Sequence, residues 1–172
     1  AREDARFVAA LADQVGLPVH LREVSVPEIR TAAVKGNLES LARDERYRFF
    51  AELVCARGLN KVATAHTRDD QAETVLMRFL RGSGMTGLGG MAPLHRVKSA
   101  GLDLTVIRPL IETSKAELLQ YLSETGQSFR LDRTNQDSIL LRNWIRLELL
   151  PKILERVDGR LSERLGQQAA LL

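Results

Sequence analysis

"KVATAHTRDDQAETVLMRFLRGSGMTGLGG", residues 61–90, runs a short apolar stretch, one histidine, three carboxylates and five glycines together. The stretch "KVATA" lies between the glycine turn at Gly58 and His66, and its brevity and apolar character are those of a buried strand in a parallel sheet. Residues 68–81 then change period. With successive residues about 100° apart, Ala72, Val75, Leu76, Phe79 and Leu80 share one stripe, the core-facing side of a helix. Asp70, Glu73, Met77 and Arg81 share the opposite side, with Asp69 at the border. A strand feeding a helix is the unit of α/β folds, whose ligands sit at the carboxyl ends of the strands. His66 stands at such an end.

The flanks continue the alternation. "REDARFVAALADQVG" places Phe7, Val8, Leu11 and Val15 as an amphipathic helix stopped by Gly16, and "LPVHLREVSV", residues 17–26, alternates as a strand. Asn37 to Arg57 reads as a long helix closed by Gly58. Downstream, residues 82–92 form a loop, "LDLTVIRPLI" is a strand ending at Arg108-Pro109, and "TSKAELLQYLSETG" is a helix capped by Thr113 or Ser114 and stopped by Gly126. "DRTNQDS", residues 132–138, is a polar turn. A helix then runs from Ile139 to Leu150, and Pro151 takes the first turn of the next. The fold class expected is α/β around a mostly parallel sheet.

The 172 residues suit one domain, or one with an appendage, and are enough to bury a core. A hydrophobic share of 44% and a charged share of 27% are ordinary for a folded chain. No window approaches the ~18 uninterrupted apolar residues of a membrane span. The net charge of +3 rests on twenty Arg and five Lys, a composition weakly favouring nucleic-acid partners. Cys55 is the single cysteine, which excludes an internal disulfide and leaves no cysteine cluster for zinc or iron–sulfur; it is expected to be a buried, inert thiol. With no disulfide and no signal peptide, the cytoplasm is the expected compartment.

Two readings of the acidic turn stay open. Thr67-x-x-Asp70 fits a capping box, and first-turn carboxylates interact well with the helix dipole. One carboxylate suffices for that, whereas Asp69, Asp70 and Glu73 crowd within five residues. Like charges at that density repel unless a cation sits among them, so the alternative is a helix start adapted to Mg²⁺ or an ammonium group. The glycine-rich run is either a flexible connection or a backbone cradle, with Arg81 and Ser83 adding phosphate donors. No Gly-Lys-Ser/Thr follows, so it is not a Walker A loop. "LRNWIR" sets Arg142 and Arg146 one turn apart, either as a solvated face or as a stripe holding successive phosphates. Trp144 reads as a core anchor, and His20 and His95 receive no role.

Taken in order, "GNLESLARDERYRFF", "AHTRDDQAET", "RGSGMTGLGGM", "IRPL", "DRTNQD" and "RNWIR" resemble the tRNA(Ile)-lysidine synthetases, which are PP-loop (N-type) ATP pyrophosphatases. The resemblance implies a Rossmann-like, adenine nucleotide alpha hydrolase-like sheet over residues 1–135, with residues 136–172 a helical segment leading towards a C-terminal tRNA-binding region. It implies ATP-dependent adenylation of the wobble cytidine of tRNA(Ile), then attack by free L-lysine to give lysidine, AMP and pyrophosphate. Asp70 and Glu73 would recognise lysine, with His66 beside the reacting centre and Asp69 a candidate for Mg²⁺. Arg81, Gly82, Ser83, Gly84, Arg108, Asp132, Arg142, Asn143 and Arg146 would face ATP or tRNA. A homodimer is compatible with this reading.

The chain departs from the family in two places. Thr67 stands where members often carry a second histidine, and the Ser-Gly-Gly-x-Asp-Ser loop that grips pyrophosphate is absent from the 172 residues. The resemblance places that loop and the first strands before Ala1, so this chain alone is expected to be inactive. Two alternatives are a PP-loop tRNA-thiolating enzyme, whose iron–sulfur branch needs several cysteines, and a non-catalytic α/β nucleotide- or RNA-binding module.

Overall fold

The computed structural model describes residues 2–24, 38–130, 141–157 and 159–171. Helix α1 spans Arg2–Gln14 with Glu3 and Asp4 in its first turn, and α2 spans Leu38–Arg57. The strand expected at residues 17–26 is not found: residues 17–24 form none, and 25–26 lie outside the described residues. Arg22 in this segment instead pairs with Glu52 of α2 and lies 4.6 Å from the centre of the Phe49 ring. Cys55, expected to be buried, is exposed, as are Ala56 and Arg57 beside it in the last turn of α2.

Among the described residues the sheet has three strands in the order β1-β3-β2: β1 Val62–Ala63, β2 Leu94–Ser99 and β3 Leu102–Ile107. β1 runs parallel to β3, with Val62 opposite Val106 and Ala63 opposite Ile107. As an edge strand of two residues it is not the buried strand its apolar run suggested, and Ala63 is exposed. The central strand carries the buried residues Leu104 and Val106. β2 had no sequence counterpart. Its turn, Ala100-Gly101, has φ of 51° and 78°, the paired positive values of a tight hairpin without the usual Asn-Gly signature.

Helix α3 spans Arg68–Leu80, α4 is the single turn Met85–Leu88 inside the glycine-rich segment, and α5 spans Lys115–Glu124. α6, Leu141–Trp144, passes through a π-helical turn, Ile145–Leu149, into α7, Leu150–Leu154. The wide turn precedes Pro151, which cannot supply the next helical N–H. The final helix, α8, spans Leu161–Ala170 and packs on α3. Ala72, Val75, Ile145, Leu150 and Ala169 are buried here. The expected core stripe of α3 holds only in part, because Phe79 and Leu80 are 65% and 50% exposed while Glu73 is 2% exposed. Trp144 is only half-buried.

The chain divides into two compact units, Ala1–Asn60 with Lys98–Leu104, and Lys61–Val97 with Thr105–Leu172. The site residues lie in the second.

Candidate functional site

Thr67 caps α3 from an extended backbone, and its hydroxyl accepts the Asp70 N–H at 3.3 Å. Asp70 Oδ2 in return accepts the Thr67 N–H and hydroxyl, each at 2.9 Å, completing a capping box. The box uses only one carboxylate oxygen. Asp70 Oδ1 accepts from Arg142 Nη2 at 3.0 Å and from Arg146 Nη2 at 3.2 Å. Glu73 accepts Arg142 Nε at 2.8 Å, Arg146 Nε at 2.5 Å and Arg146 Nη2 at 2.9 Å. Two carboxylates and two guanidinium groups therefore balance. The hydrogen bond to Glu73, reinforced by the charges of Glu73 and Asp70, raises the Arg146 pKa above its ordinary value.

The sequence expectation left the counter-charge to a ligand. In the structure, Arg142 and Arg146 provide it for Asp70 and Glu73, so the arginines expected to line up phosphates point at carboxylates. Burial of Glu73 is tolerable because both of its oxygens are bonded to cations.

Asp69 has a different occupant. Its Oδ2 accepts the Lys115 N–H at 2.7 Å, placing a negative charge at the start of α5. Arg68 Nη2 reaches Glu117 Oε2 at 2.9 Å, and Glu117 also closes the capping box on Ser114. Hydrogen bonds from the Ser114 hydroxyl and N–H, with Arg68 nearby, hold the Glu117 carboxyl below its ordinary range. Among the described residues no three His, Cys, Asp or Glu side chains converge as a metal site. Asp69, the candidate for Mg²⁺, has its Oδ2 engaged by the backbone at the start of α5.

His66 is half-buried at the carboxyl end of β1, with Nδ1 2.9 Å from Thr64 Oγ1. It precedes the Thr67 cap by one residue, so the imidazole and the acid–arginine cluster share the start of α3. Arg81, Gly82, Ser83 and Gly84 are at the other end of that helix, about 20 Å away at ~1.5 Å per residue. The structure does not bring them to His66. Arg108 is 5% exposed, and its Nη1 donates to the Ala92 carbonyl at 2.5 Å, so it braces a loop instead of presenting its charge. Asn143 is buried beside the arginine pair in sequence, and Asp132 lies outside the described residues.

Two residues the sequence reading passed over organise the glycine-rich segment. Gln71 pairs with both backbone groups of Met91, and Arg78 donates to the carbonyls of Gly87 and Gly90. No local feature of the sequence signals either contact.

Comparison with known proteins places the chain in a family. A profile of the PP-loop domain matches residues 1–153. The chain belongs to the PP-loop domain family. Among curated relatives, the tRNA(Ile)-lysidine synthase of Symbiobacterium thermophilum is 46% identical over 171 residues, covering 99% of this chain and 34% of the relative. That of Solibacter usitatus is 44% identical over 168 residues, 98% of this chain and 35% of the relative. The PP-loop chain thus spans about a third of the length of these relatives. The U34-tRNA thiolase from Methanococcus maripaludis has a similar structure, with a TM-score of 0.68 over 98% of this chain and 55% of that one. Identity to it is 16%, a likeness of fold alone.

Proposed function

We propose that this chain is the PP-loop portion of a cytoplasmic tRNA(Ile)-lysidine synthase, with residues 1–135 the ATP pyrophosphatase-like part and 136–172 the approach to a tRNA-binding region. The observation that carries the reading is the similarity to curated tRNA(Ile)-lysidine synthases along essentially the whole chain, 46% over 171 residues in one case. In the reaction, the C2 carbonyl oxygen of the wobble cytidine attacks the α-phosphorus of ATP and pyrophosphate leaves. The lysine amine then forms a bond to C2, the C2–O bond breaks, and AMP departs with that oxygen.

Asp70 and Glu73 recognise lysine in this reading, and His66, oriented by Thr64, takes the proton released by the attacking amine. The lysine ammonium group meets Asp70, which has 21% side-chain exposure, while Glu73, 2% exposed, acts through the arginines it shares with Asp70. Phosphate oxygens of ATP give the guanidinium groups alternative partners. Arg81, Gly82, Ser83 and Gly84, remote from His66, fit tRNA better than the reacting centre. Mg²⁺ arrives with ATP.

The test is ATP-dependent lysine incorporation into tRNA(Ile) by the full-length protein. Asp70→Asn should raise the lysine KM about tenfold while adenylation of the tRNA survives. An unchanged lysine KM removes the lysine assignment, and sulfur transfer to tRNA in place of lysine transfer would favour a thiolase.

A further inference from the structure

Gln71, 6% exposed, sits in sequence between the two carboxylates of the cluster and serves a different partner. Its Oε1 accepts the Met91 N–H at 2.7 Å and its Nε2 donates to the Met91 carbonyl at 3.1 Å. One side-chain amide thereby satisfies both backbone groups of a residue 20 positions away, the service a neighbouring strand would perform. Gly90 records how close the approach is. A Cβ there would lie 2.7 Å from Nε2 and 2.8 Å from Cδ and Oε1, on a backbone with φ of +60°.

The clamp has companions on both sides. Arg78, two turns along α3 and on nearly the same face, donates to Gly87 O at 2.9 Å and to Gly90 O at 2.7 Å. Arg108 holds the Ala92 carbonyl through Nη1, and its N–H donates to Pro93 O at 2.8 Å. Gly87, Gly90, Met91, Ala92 and Pro93 are therefore tied down in order, and the glycine-rich segment runs back along α3 towards the end that carries His66. Gln71 and Arg78 leave the helix roughly 120° round from Asp70 and Glu73. The Gln71 and Arg78 bonds thus hold α3 on a different face from the Asp70 and Glu73 pairs, in addition to the ties at Arg68 and Asp69.

We propose that Gln71 is a positioning residue: by clamping Met91 it fixes the rotation of α3, and with it the direction in which Asp70 and Glu73 meet the groups they bind. Its functional readout rests on the lysine reading above; the clamp itself does not.

The experiment uses the full-length protein and two substitutions that attack the contact from opposite sides. Gln71→Glu keeps the size and the acceptor, but when ionised it has no proton for the Met91 carbonyl; protonated, it regains a hydroxyl donor. The lysine KM should rise about tenfold at neutral pH, with kcat within about twofold, and the ratio to the parent should shrink as the pH falls. A merely space-filling role would not produce that pH dependence. Gly90→Ala intrudes on the amide, so combining it with Gln71→Ala should destabilise less than the sum of the two single changes. Additive unfolding free energies overturn the clamp. A lysine KM unchanged by Gln71→Glu at every pH overturns the positioning role. If the parent makes no lysidine the function proposal fails, and the unfolding cycle, with hydrogen exchange at the Met91 amide, still decides for or against the clamp.

Discussion

At the N-terminal end of α3, Arg68, Asp69, Asp70, Gln71 and Glu73 all bond to other parts of the chain across long sequence distances. At the C-terminal end, Phe79, Leu80 and Arg81 face solvent. Both ends are conspicuous in the sequence, one for its acids and the other for its apolar residues and glycines. Their energetic roles are reversed from a simple hydrophobic count: the charged end is the anchored one, and the apolar end is open. What decides is whether a partner of matching chemistry docks there, and α6 with the π-helical turn that follows it brings two arginines to the acidic face.

The sharpest way to break this contrast is Glu73→Ala, which leaves Arg142 and Arg146 sharing Asp70 alone. Because Glu73 is 2% exposed and its partners 28% and 31%, the loss should be about 3 kcal/mol in urea unfolding. A loss below about 1 kcal/mol would mean that the cluster is no more valuable than a surface ion pair.

A smaller effect is expected at Glu117, which caps α5 in solvent. Its folded pKa is lowered, so its contribution is complete above the ordinary carboxylate pKa and disappears as the pH falls through the lowered value. The stability difference between the parent and Glu117→Gln should accordingly close on acidification. A gap that persists below both pKa values would assign the effect to geometry instead of charge.

Least affected should be the open end. Phe79→Ser in this chain should change stability by no more than about 0.5 kcal/mol, because little apolar contact is lost at a side chain 65% exposed. A larger loss in the full-length protein than in this chain would show that another segment covers Phe79.

The parts of the molecule legible in sequence are those set by near neighbours. Thr67-x-x-Asp70 forms the capping box its spacing suggested, Ser114 is the one of the two candidate caps that is used, and α1, α2, α3 and α5 fall close to their expected bounds. Contacts between distant residues were not legible. Nothing local to "DDQAET" announces that its counter-ions are Arg142 and Arg146, or that Gln71 pairs with Met91. The strand β2 was missed because its residues are mostly exposed and polar and its turn is Ala-Gly. The stripe through Phe79 and Leu80 was overread, since periodicity identifies a face but not how far along it a neighbour extends.

The arginine pair also bears on how the molecule assembles. It reaches carboxylates 69 to 76 positions away, so its closure carries the entropy cost of a long loop and is expected late in folding. Asp70 meanwhile can complete its bonds to Thr67 within a single turn. One carboxylate thus belongs to an early, local event through one oxygen and to a late, distant one through the other. Weakening the distant half should leave the folding rate nearly intact and act on the rate of unfolding, making the cluster a latch on lifetime more than a guide to the fold.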